Sequence, residues 1–122
     1  MSGLAVAPGF IDIHSHAIRD NPDRSGIYLW PDAENLIRQG VTTVIGGPDG
    51  GSPLPLEDDF RRLEENPAAV NYGSFVGQGS VREKVIGYDD RPATDEELGA
   101  MRAEVRAAME SGAFGLSSGL LY

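Results

Sequence analysis

Near its start the chain carries the run Pro8-Gly9-Phe10-Ile11-Asp12-Ile13-His14-Ser15-His16, which is apolar until it ends in two histidines. The 122 residues contain no other histidine. Because a β-strand points every second side chain to the same face, a strand here would project both imidazoles side by side. One backbone segment would then supply two nitrogen ligands to a divalent metal ion. The alternative is a pair of hydrogen-bonded core histidines.

The composition is that of a globular protein, with 40% hydrophobic and 24% charged residues. A net charge of -9 and a single lysine argue against nucleic acid or an anionic membrane surface as a partner. The absence of cysteine excludes disulfides and thiolate-ligated metal sites. The first residues do not resemble a signal peptide, and no apolar stretch approaches the roughly 20 residues of a membrane span. We therefore expect a cytoplasmic location.

Strands and helices are predicted to alternate along the chain. Apolar or β-branched runs bounded by glycine and proline predict strands at residues 4–16, 41–45, 69–76 and 113–117. Helices are predicted at residues 32–39, from 56 to a stop at 66–67, and from 94 to a stop at 112. The last helix opens on the capping box Thr94-Asp95-Glu96-Glu97. Its apolar stripe is Leu98, Met101, Val105 and Met109.

Four strand-helix units predict an α/β fold with a parallel sheet and right-handed crossovers. The strands read as continuous apolar runs, which is typical of sheets covered on both faces. Four such units amount to half of a TIM-type (β/α)8 barrel. The sequence stops directly after the fourth strand, where a covering helix is expected. We therefore expect residues 1–122 to form one partial domain, the first half of a truncated barrel.

In parallel α/β barrels the chemistry lies at the carboxyl ends of the strands. The polar residues predicted at these ends are His16, Asp49, Gln78, Ser117, Ser118 and Tyr122. Asp49 is either a metal ligand or a turn aspartate in a Pro-Asp-Gly bend. The two serines are not predicted to be nucleophiles, because no further histidine is present to activate them. Tyr122 is a candidate substrate contact or a rim aromatic that packs on a neighbouring loop.

The run 8–16 resembles the metal-binding signature of the amidohydrolase superfamily. Residues 39–44, 90–94 and 112–120 are similar to the D-aminoacylase (N-acyl-D-amino-acid deacylase) branch of that superfamily. The likeness runs over nearly the whole chain. It implies hydrolysis of the amide of a small N-acyl-D-amino acid by metal-activated water, with one or two Zn²⁺ ions as cofactor.

The resemblance also assigns residues. The family's first-strand histidine pair corresponds to His14 and His16, and its ligand after the second strand, often cysteine, corresponds to Asp49. A carboxylate oxygen can bind Zn²⁺ at about 2.0–2.2 Å, so this exchange is chemically reasonable. Other members have histidine where Gln78 stands, which makes Gln78 a candidate substrate contact. The family's later histidines and catalytic aspartate have no counterpart in residues 1–122, so we assign no catalytic residue and expect little or no activity from these residues alone.

Two alternatives stay open. A dihydroorotase- or hydantoinase-like enzyme would open a cyclic amide, but such enzymes typically carry a carboxylated lysine on the fourth strand, and residues 113–117 contain none. A non-catalytic chain would keep this part of the barrel as an interaction or assembly module.

Overall fold

The computed structural model describes residues 3–18 and 26–120, so the predicted contact Tyr122 lies outside the described residues. The strands are β1 (Phe10–Asp12), β2 (Val41–Gly46), β3 (Asn71–Ser74), β4 (Val76–Gly77) and β5 (Leu116–Ser117). The helices are α1 (Gly26–Leu29), α2 (Glu34–Ile37), α3 (Leu56–Glu65), α4 (Gln78–Ile86) and α5 (Asp95–Glu110). In the described ranges no helix combines the length and the apolar character needed to cross a bilayer. The cytoplasmic location stays a prediction.

The strands pair in parallel and in chain order, as the sequence predicts for an α/β fold. One sheet has the order β1-β2-β3, and a second pairs β4 with β5. Only Phe75 separates β3 from β4, and its N–H donates to the carbonyl of Gly46 at 3.0 Å. The N–H of Phe114 donates to the carbonyl of Ser74 at 2.9 Å. The predicted third strand is therefore one extended segment. Its first part, β3, pairs with β2, and its last part, β4, pairs with β5.

Three predicted elements are shorter in the structure, and one of them is the last strand, which covers only Leu116–Ser117 of the predicted 113–117. The first strand covers only Phe10–Asp12, and residues 4–9 are not strand. Leu4 and Val6 are 72% and 101% exposed, so these residues lack the neighbouring chain that a strand needs. The helix predicted at 32–39 is shortened to Glu34–Ile37, because Ala33 has a left-handed backbone (φ 45°) that a regular helix cannot include.

The helix α4 (Gln78–Ile86) was not predicted, and two helices therefore connect β4 to β5. The Gly77-Gln78-Gly79-Ser80 sequence favours a loop, since glycine and serine are poor helix formers. Val81 and Ile86 are the buried residues of this helix. Two buried side chains five residues apart do not form the helical stripe that sequence analysis looks for.

The capping box that opens α5 is present in the structure. The N–H of Glu97 donates to Thr94 Oγ1 at 3.2 Å, and the N–H of Thr94 donates to Glu97 Oε2 at 2.8 Å. Arg91 also donates to both carboxylate oxygens of Glu97, at 2.6 and 2.8 Å. The Arg91 hydrogen bonds, followed by that from the Thr94 backbone, lower the pKa of Glu97 to about 2. This carboxylate therefore stays charged and caps the helix at neutral pH.

The predicted apolar stripe of α5 is only partly buried. Met101 and Val105 pack on a buried cluster, but Leu98 and Met109 are 38% and 44% exposed. The buried residue of α5 is Ala108. Ala108 lies in the same buried cluster as Val81 of α4, so the helix meets α4 and the sheet through a small residue.

Two apolar clusters form the core. The first consists of Ile18, Ile27, Ala33, Val44 and Val70, and the second of Leu56, Val76, Val81, Ala108 and Ala113. Neither cluster covers the opposite face of the sheet, on which the side chains of Phe114 and Ile45 lie beside Gly73. A Cβ on Gly73 would lie 2.9 Å from Phe114 Cδ2 and 3.1 Å from Ile45 Cδ1. On that face Ile11 and Phe114 are 63% and 68% exposed. The helices thus cover one face of the sheet and leave apolar side chains exposed on the other.

Asp59 on α3 is a charged residue within the helix-covered side. Tyr28 donates a hydrogen bond to its Oδ1, whereas Asp59 Oδ2 and the buried Tyr72 hydroxyl have no hydrogen-bond partner among the described residues. Burial raises the pKa of the Asp59 carboxyl, and the hydrogen bond from Tyr28 and the Arg62 charge only partly oppose it. Burial likewise raises the pKa of both tyrosines well above the usual range.

We expect Asp59→Asn to stabilise the fold at pH 7 by about 1 kcal/mol, because the amide keeps the acceptor for Tyr28 and removes a buried, incompletely paired charge. Because the folded-state pKa is raised, the contribution of Asp59 to stability is fully present below the unfolded-state pKa and is lost as the pH rises through the folded-state pKa. In Asp59→Asn the free energy of unfolding should no longer show this decrease with rising pH. Urea unfolding between pH 4 and 8 measures it, with exposed Asp58→Asn as control. A less stable variant at pH 7 would contradict the expectation.

Candidate metal centre

The two histidines follow β1 and lie on the exposed side of the chain. The N–H of Ser15 donates to the carbonyl of Ile45 at 3.0 Å, so the backbone continues to pair with β2 beyond the end of β1. The Ser15 side chain is buried, whereas the side chains of His14 and His16 are 62% and 52% exposed. This alternation brings the two ring centroids to 5.7 Å. Asp12 accepts the His14 N–H through Oδ1 at 3.0 Å, so it orders the backbone at this point.

Asp49 reaches the same place from the loop that leaves β2. Its Oδ2 lies 3.2 Å from His14 Nε2 and 3.3 Å from His16 Nε2. One ligand atom from each of the three residues lies within 4.8 Å of the other two. Asp49 has a left-handed backbone (φ 58°), a conformation that aspartate adopts more readily than most residues. We call His14, His16 and Asp49 the triad.

The nitrogen–oxygen distances of the triad match those of a zinc site. Two ligands bound at about 2.05 Å to a tetrahedral ion lie about 3.3 Å apart, which is close to both nitrogen–oxygen distances. Two imidazole nitrogens and a carboxylate oxygen are ligands that Zn²⁺ accepts, and three protein ligands leave the open position that catalytic zinc sites need. The distances also fit hydrogen bonds from the imidazoles to the carboxylate. The residues present therefore fit a zinc ion, and an experiment can separate the two possibilities.

The loop that carries Asp49 is held tightly against β4 and α4. The N–H of Gly77 donates to Ser52 Oγ at 2.9 Å, and the N–H of Ser52 donates to Ser80 Oγ at 2.9 Å. The N–H of Ser80 returns to the carbonyl of Gly50 at 3.2 Å. These bonds join the loop at residues 50–52 to the segment at residues 77–80. Neither serine is recognisable from the sequence, because their partners lie 25 to 28 residues away in the chain.

A cavity of about 480 Å³ adjoins Asp49. Gly50, Ser80 and Tyr88 are among the residues that line it. Arg82 forms part of its wall and donates from Nη2 to the carbonyls of Asp89 and Arg91, at 2.7 and 2.8 Å, which holds the loop after α4 in place. Asp49 thus borders a space large enough for a small ligand.

The other predicted residues take different positions. Gln78 is the first residue of α4 and half-buried, and within the described ranges its side chain makes no hydrogen bond to the triad. Ser118 is exposed, whereas Ser117 is half-buried and bonded to the loop of Asp49. Substrate contacts by Gln78 and Tyr122 stay predictions.

Comparison with known proteins identifies relatives of the chain, although no protein-family model matches it. A D-aminoacylase from Alcaligenes xylosoxydans xylosoxydans is 40% identical over 100% of this chain and 29% of its own length. An N-acyl-D-aspartate deacylase from the same organism is 38% identical over 98% of this chain and 28% of its own length. A dihydroorotase from Thermus aquaticus is 26% identical, over 98% of this chain and 28% of its own length.

Two solved structures share the fold. A D-aminoacylase described as defining a novel subset of amidohydrolases superimposes with a TM-score of 0.79 at 34% identity, over 94% of this chain and 28% of its own. The N-acyl-D-glutamate deacylase from Bordetella bronchiseptica, complexed with zinc and a phosphonate inhibitor that mimics the tetrahedral intermediate, gives a TM-score of 0.81 at 29% identity. It matches 94% of this chain and 28% of its own.

The chain is therefore homologous to the amidohydrolases. More narrowly, its homologues include D-aminoacylases and N-acyl-D-amino-acid deacylases at up to 40% identity, so the resemblance predicted from the sequence is confirmed. The chain spans under a third of the length of the curated relatives it matches.

Proposed function

We propose that the protein contributes the first part of a zinc-dependent hydrolase that cleaves the amide of N-acyl-D-amino acids. The observation that carries the proposal is the triad, in which the end of β1 and the loop after β2 bring three potential ligand atoms within 4.8 Å. Homologues at 38% and 40% identity are named as an N-acyl-D-aspartate deacylase and a D-aminoacylase, which supports this substrate class.

In this proposal the Nε2 atoms of His14 and His16 and Oδ2 of Asp49 hold one zinc ion. The bound ion would supply a water of lowered pKa and would polarise the scissile carbonyl. The histidines must be neutral to act as ligands, and the carboxylate reduces the net charge of the site. The cavity beside Asp49 offers space for the acyl group or the amino-acid side chain of the substrate. A second ion, as the resemblance allows, would need ligands beyond the triad.

We also propose that the chain is the first part of a (β/α)8 barrel domain. The parallel strands in chain order and the helices on one face support this architecture. So does the exposed apolar face around Ile11 and Phe114, because both faces of a parallel sheet are normally covered. In a complete barrel, the remaining strands would cover that face, and the relatives are long enough to contain them.

A dihydroorotase-like activity is the second candidate, and the 26% identical relative from Thermus aquaticus supports it. The deacylase relatives are more similar, and β5 with the residues before it contains no lysine that could be carboxylated. A non-catalytic module would keep the fold and would not require the triad to bind metal.

Zinc binding and hydrolysis test the proposal separately. Calorimetric titration of the protein should show about one zinc ion per chain, and the His14→Ala/His16→Ala double variant should show none. Activity is measured on the chain alone and on a chimera in which it replaces the matching segment of the Alcaligenes D-aminoacylase. We expect no turnover by residues 1–122 alone and hydrolysis of N-acetyl-D-amino acids by the chimera.

N-acetyl-L-amino acids and dihydroorotate serve as control substrates. Equal zinc binding by wild type and the double variant would contradict the proposed centre. Preferential hydrolysis of dihydroorotate would favour the second candidate. Zinc binding without turnover by a folded chimera would favour the non-catalytic module.

A further inference from the structure

The position of Asp49 depends on an unusual stretch of backbone. Gly47, Asp49 and Gly50 all have positive φ, at 68°, 58° and 81°. A left-handed aspartate is less stable than an extended one, and it persists only where the surroundings hold it. No strand or helix includes residues 47–50. Other contacts must therefore hold the carboxylate toward the two histidines.

A single hydroxyl on β5 bonds to both ends of this stretch. Ser117 Oγ donates to the carbonyl of Gly47 at 2.6 Å and accepts the N–H of Gly50 at 3.1 Å. The two partners flank Asp49 in the sequence. A serine hydroxyl can donate and accept at the same time, so it can hold two backbone groups whose directions differ.

A backbone bond also closes this stretch, since the N–H of Gly51 donates to the carbonyl of Pro48 at 3.2 Å. The side-chain contacts of the loop other than Ser117 lie further along the chain. The N–H of Ser80 bonds to the carbonyl of Gly50, its hydroxyl accepts the N–H of Ser52, and Ser52 bonds to Gly77. Among the described residues, Ser117 is the side chain that bonds on both sides of Asp49. Its neighbour Ser118 is exposed and makes no such bond. The loop of Asp49 also lies very close to the residues after β5, because a Cβ on Gly50 would lie 2.7 Å from the N atom of Gly119.

We propose that Ser117 is a positioning residue that holds the loop of Asp49 in its left-handed conformation and thereby sets the Oδ2 atom of Asp49 for metal binding. This inference rests on the proposed zinc centre. Ser117 does not touch the metal or the substrate in this role, and its hydroxyl acts through the backbone of Gly47 and Gly50. Loss of a residue that bonds a metal ligand directly typically lowers metal affinity about 10- to 100-fold. Ser117 bonds to the backbone on both sides of the ligand, so we expect an effect at the lower end of that range.

Zinc titration and amide hydrogen exchange test the inference in wild type and three variants. Ser117→Ala should bind zinc about 10-fold more weakly, within the range for such partners. Ser117→Thr keeps the hydroxyl and should restore affinity. Ser118→Ala is the matched control and should bind as wild type does. In the metal-free protein the Gly50 amide should exchange faster in Ser117→Ala, because it loses its acceptor.

The outcomes separate this inference from the proposed function. If wild type and Ser117→Ala bind zinc equally, the inference is wrong and the zinc centre stands. If wild type binds no zinc, the proposed centre is wrong, and the role of Ser117 as a positioning residue for a metal ligand is wrong with it. In that case, faster hydrogen exchange of the Gly50 amide in Ser117→Ala would still show that Ser117 stabilises the loop, independently of any metal. Weaker zinc binding by Ser117→Ala without faster Gly50 exchange would also overturn the inference.

Discussion

Asp49→Asn is expected to weaken zinc binding by at least about 100-fold, or about 2.7 kcal/mol of binding free energy. The amide keeps the size of the side chain and an oxygen acceptor, but it loses the negative charge that makes Oδ2 a good ligand for a divalent ion. Loss of a direct ligand should exceed the 10- to 100-fold effect typical of residues that only support ligands.

This variant also separates a zinc site from a hydrogen-bonded cluster. An asparagine oxygen can still accept a hydrogen bond from His14 or His16. If hydrogen bonding were the role of Asp49, the variant would change little in the absence of metal. Calorimetric titration with zinc measures the affinity, and urea unfolding of the metal-free protein measures the stability. Exposed Asp32→Asn is the matched control. Wild-type zinc affinity in Asp49→Asn would show that Asp49 is not a ligand.

Gly77→Ala is expected to destabilise the fold by about 3 kcal/mol, at the upper end of what overpacking typically costs, and to weaken zinc binding as well. The added Cβ would lie 2.6 Å from the carbonyl carbon of Gly50 and 2.7 Å from that of Gly51, and closer still to the Gly50 oxygen. These are backbone atoms, so the clash can be relieved only by moving the loop next to Asp49. The φ of Gly77 is −83°, which alanine adopts easily, so the effect is one of space alone.

Gly99→Ala is the matched control for this variant. Gly99 lies within α5, and nothing stands within 4 Å of the position that an added Cβ would take. Alanine should stabilise the helix there by about 0.5–1 kcal/mol. Urea unfolding measures both variants, and zinc titration shows whether the loop has moved. Unchanged stability and zinc affinity in Gly77→Ala would mean that the contact between β4 and the Asp49 loop is unimportant.

Much of the fold was predictable because its signals are local. The β-branched run at 41–45 became β2, extended by Gly46, and the helical spacing from residue 56 became α3. The capping box at Thr94 was present as predicted, since its partners are three residues apart. The parallel order followed from the alternation of strands and helices. The errors lie where burial decides the outcome, as in α4 and in the face that α5 buries.

The candidate site was predictable in part. The spacing of His14 and His16 indicated that both rings share a face, because period-two alternation is a property of extended backbone. The approach of Asp49 depends on left-handed backbone in a loop, which glycine and proline make possible but do not specify. Gln78 begins a helix that local sequence did not indicate, so its orientation could not be inferred from a predicted loop.

The sequence by itself determined the α/β alternation, the histidine pair at the end of the first strand and the capping box of α5, because each depends on residues within a few positions of one another. Only the tertiary structure decided that Asp49 meets these histidines and that Ser117, 67 and 70 residues away from its partners, bonds across the Asp49 loop. The physical reason is that such contacts form only when strands distant in sequence pair side by side. Which residues meet depends on the register of the paired strands and on glycines that allow two backbone segments to approach closely.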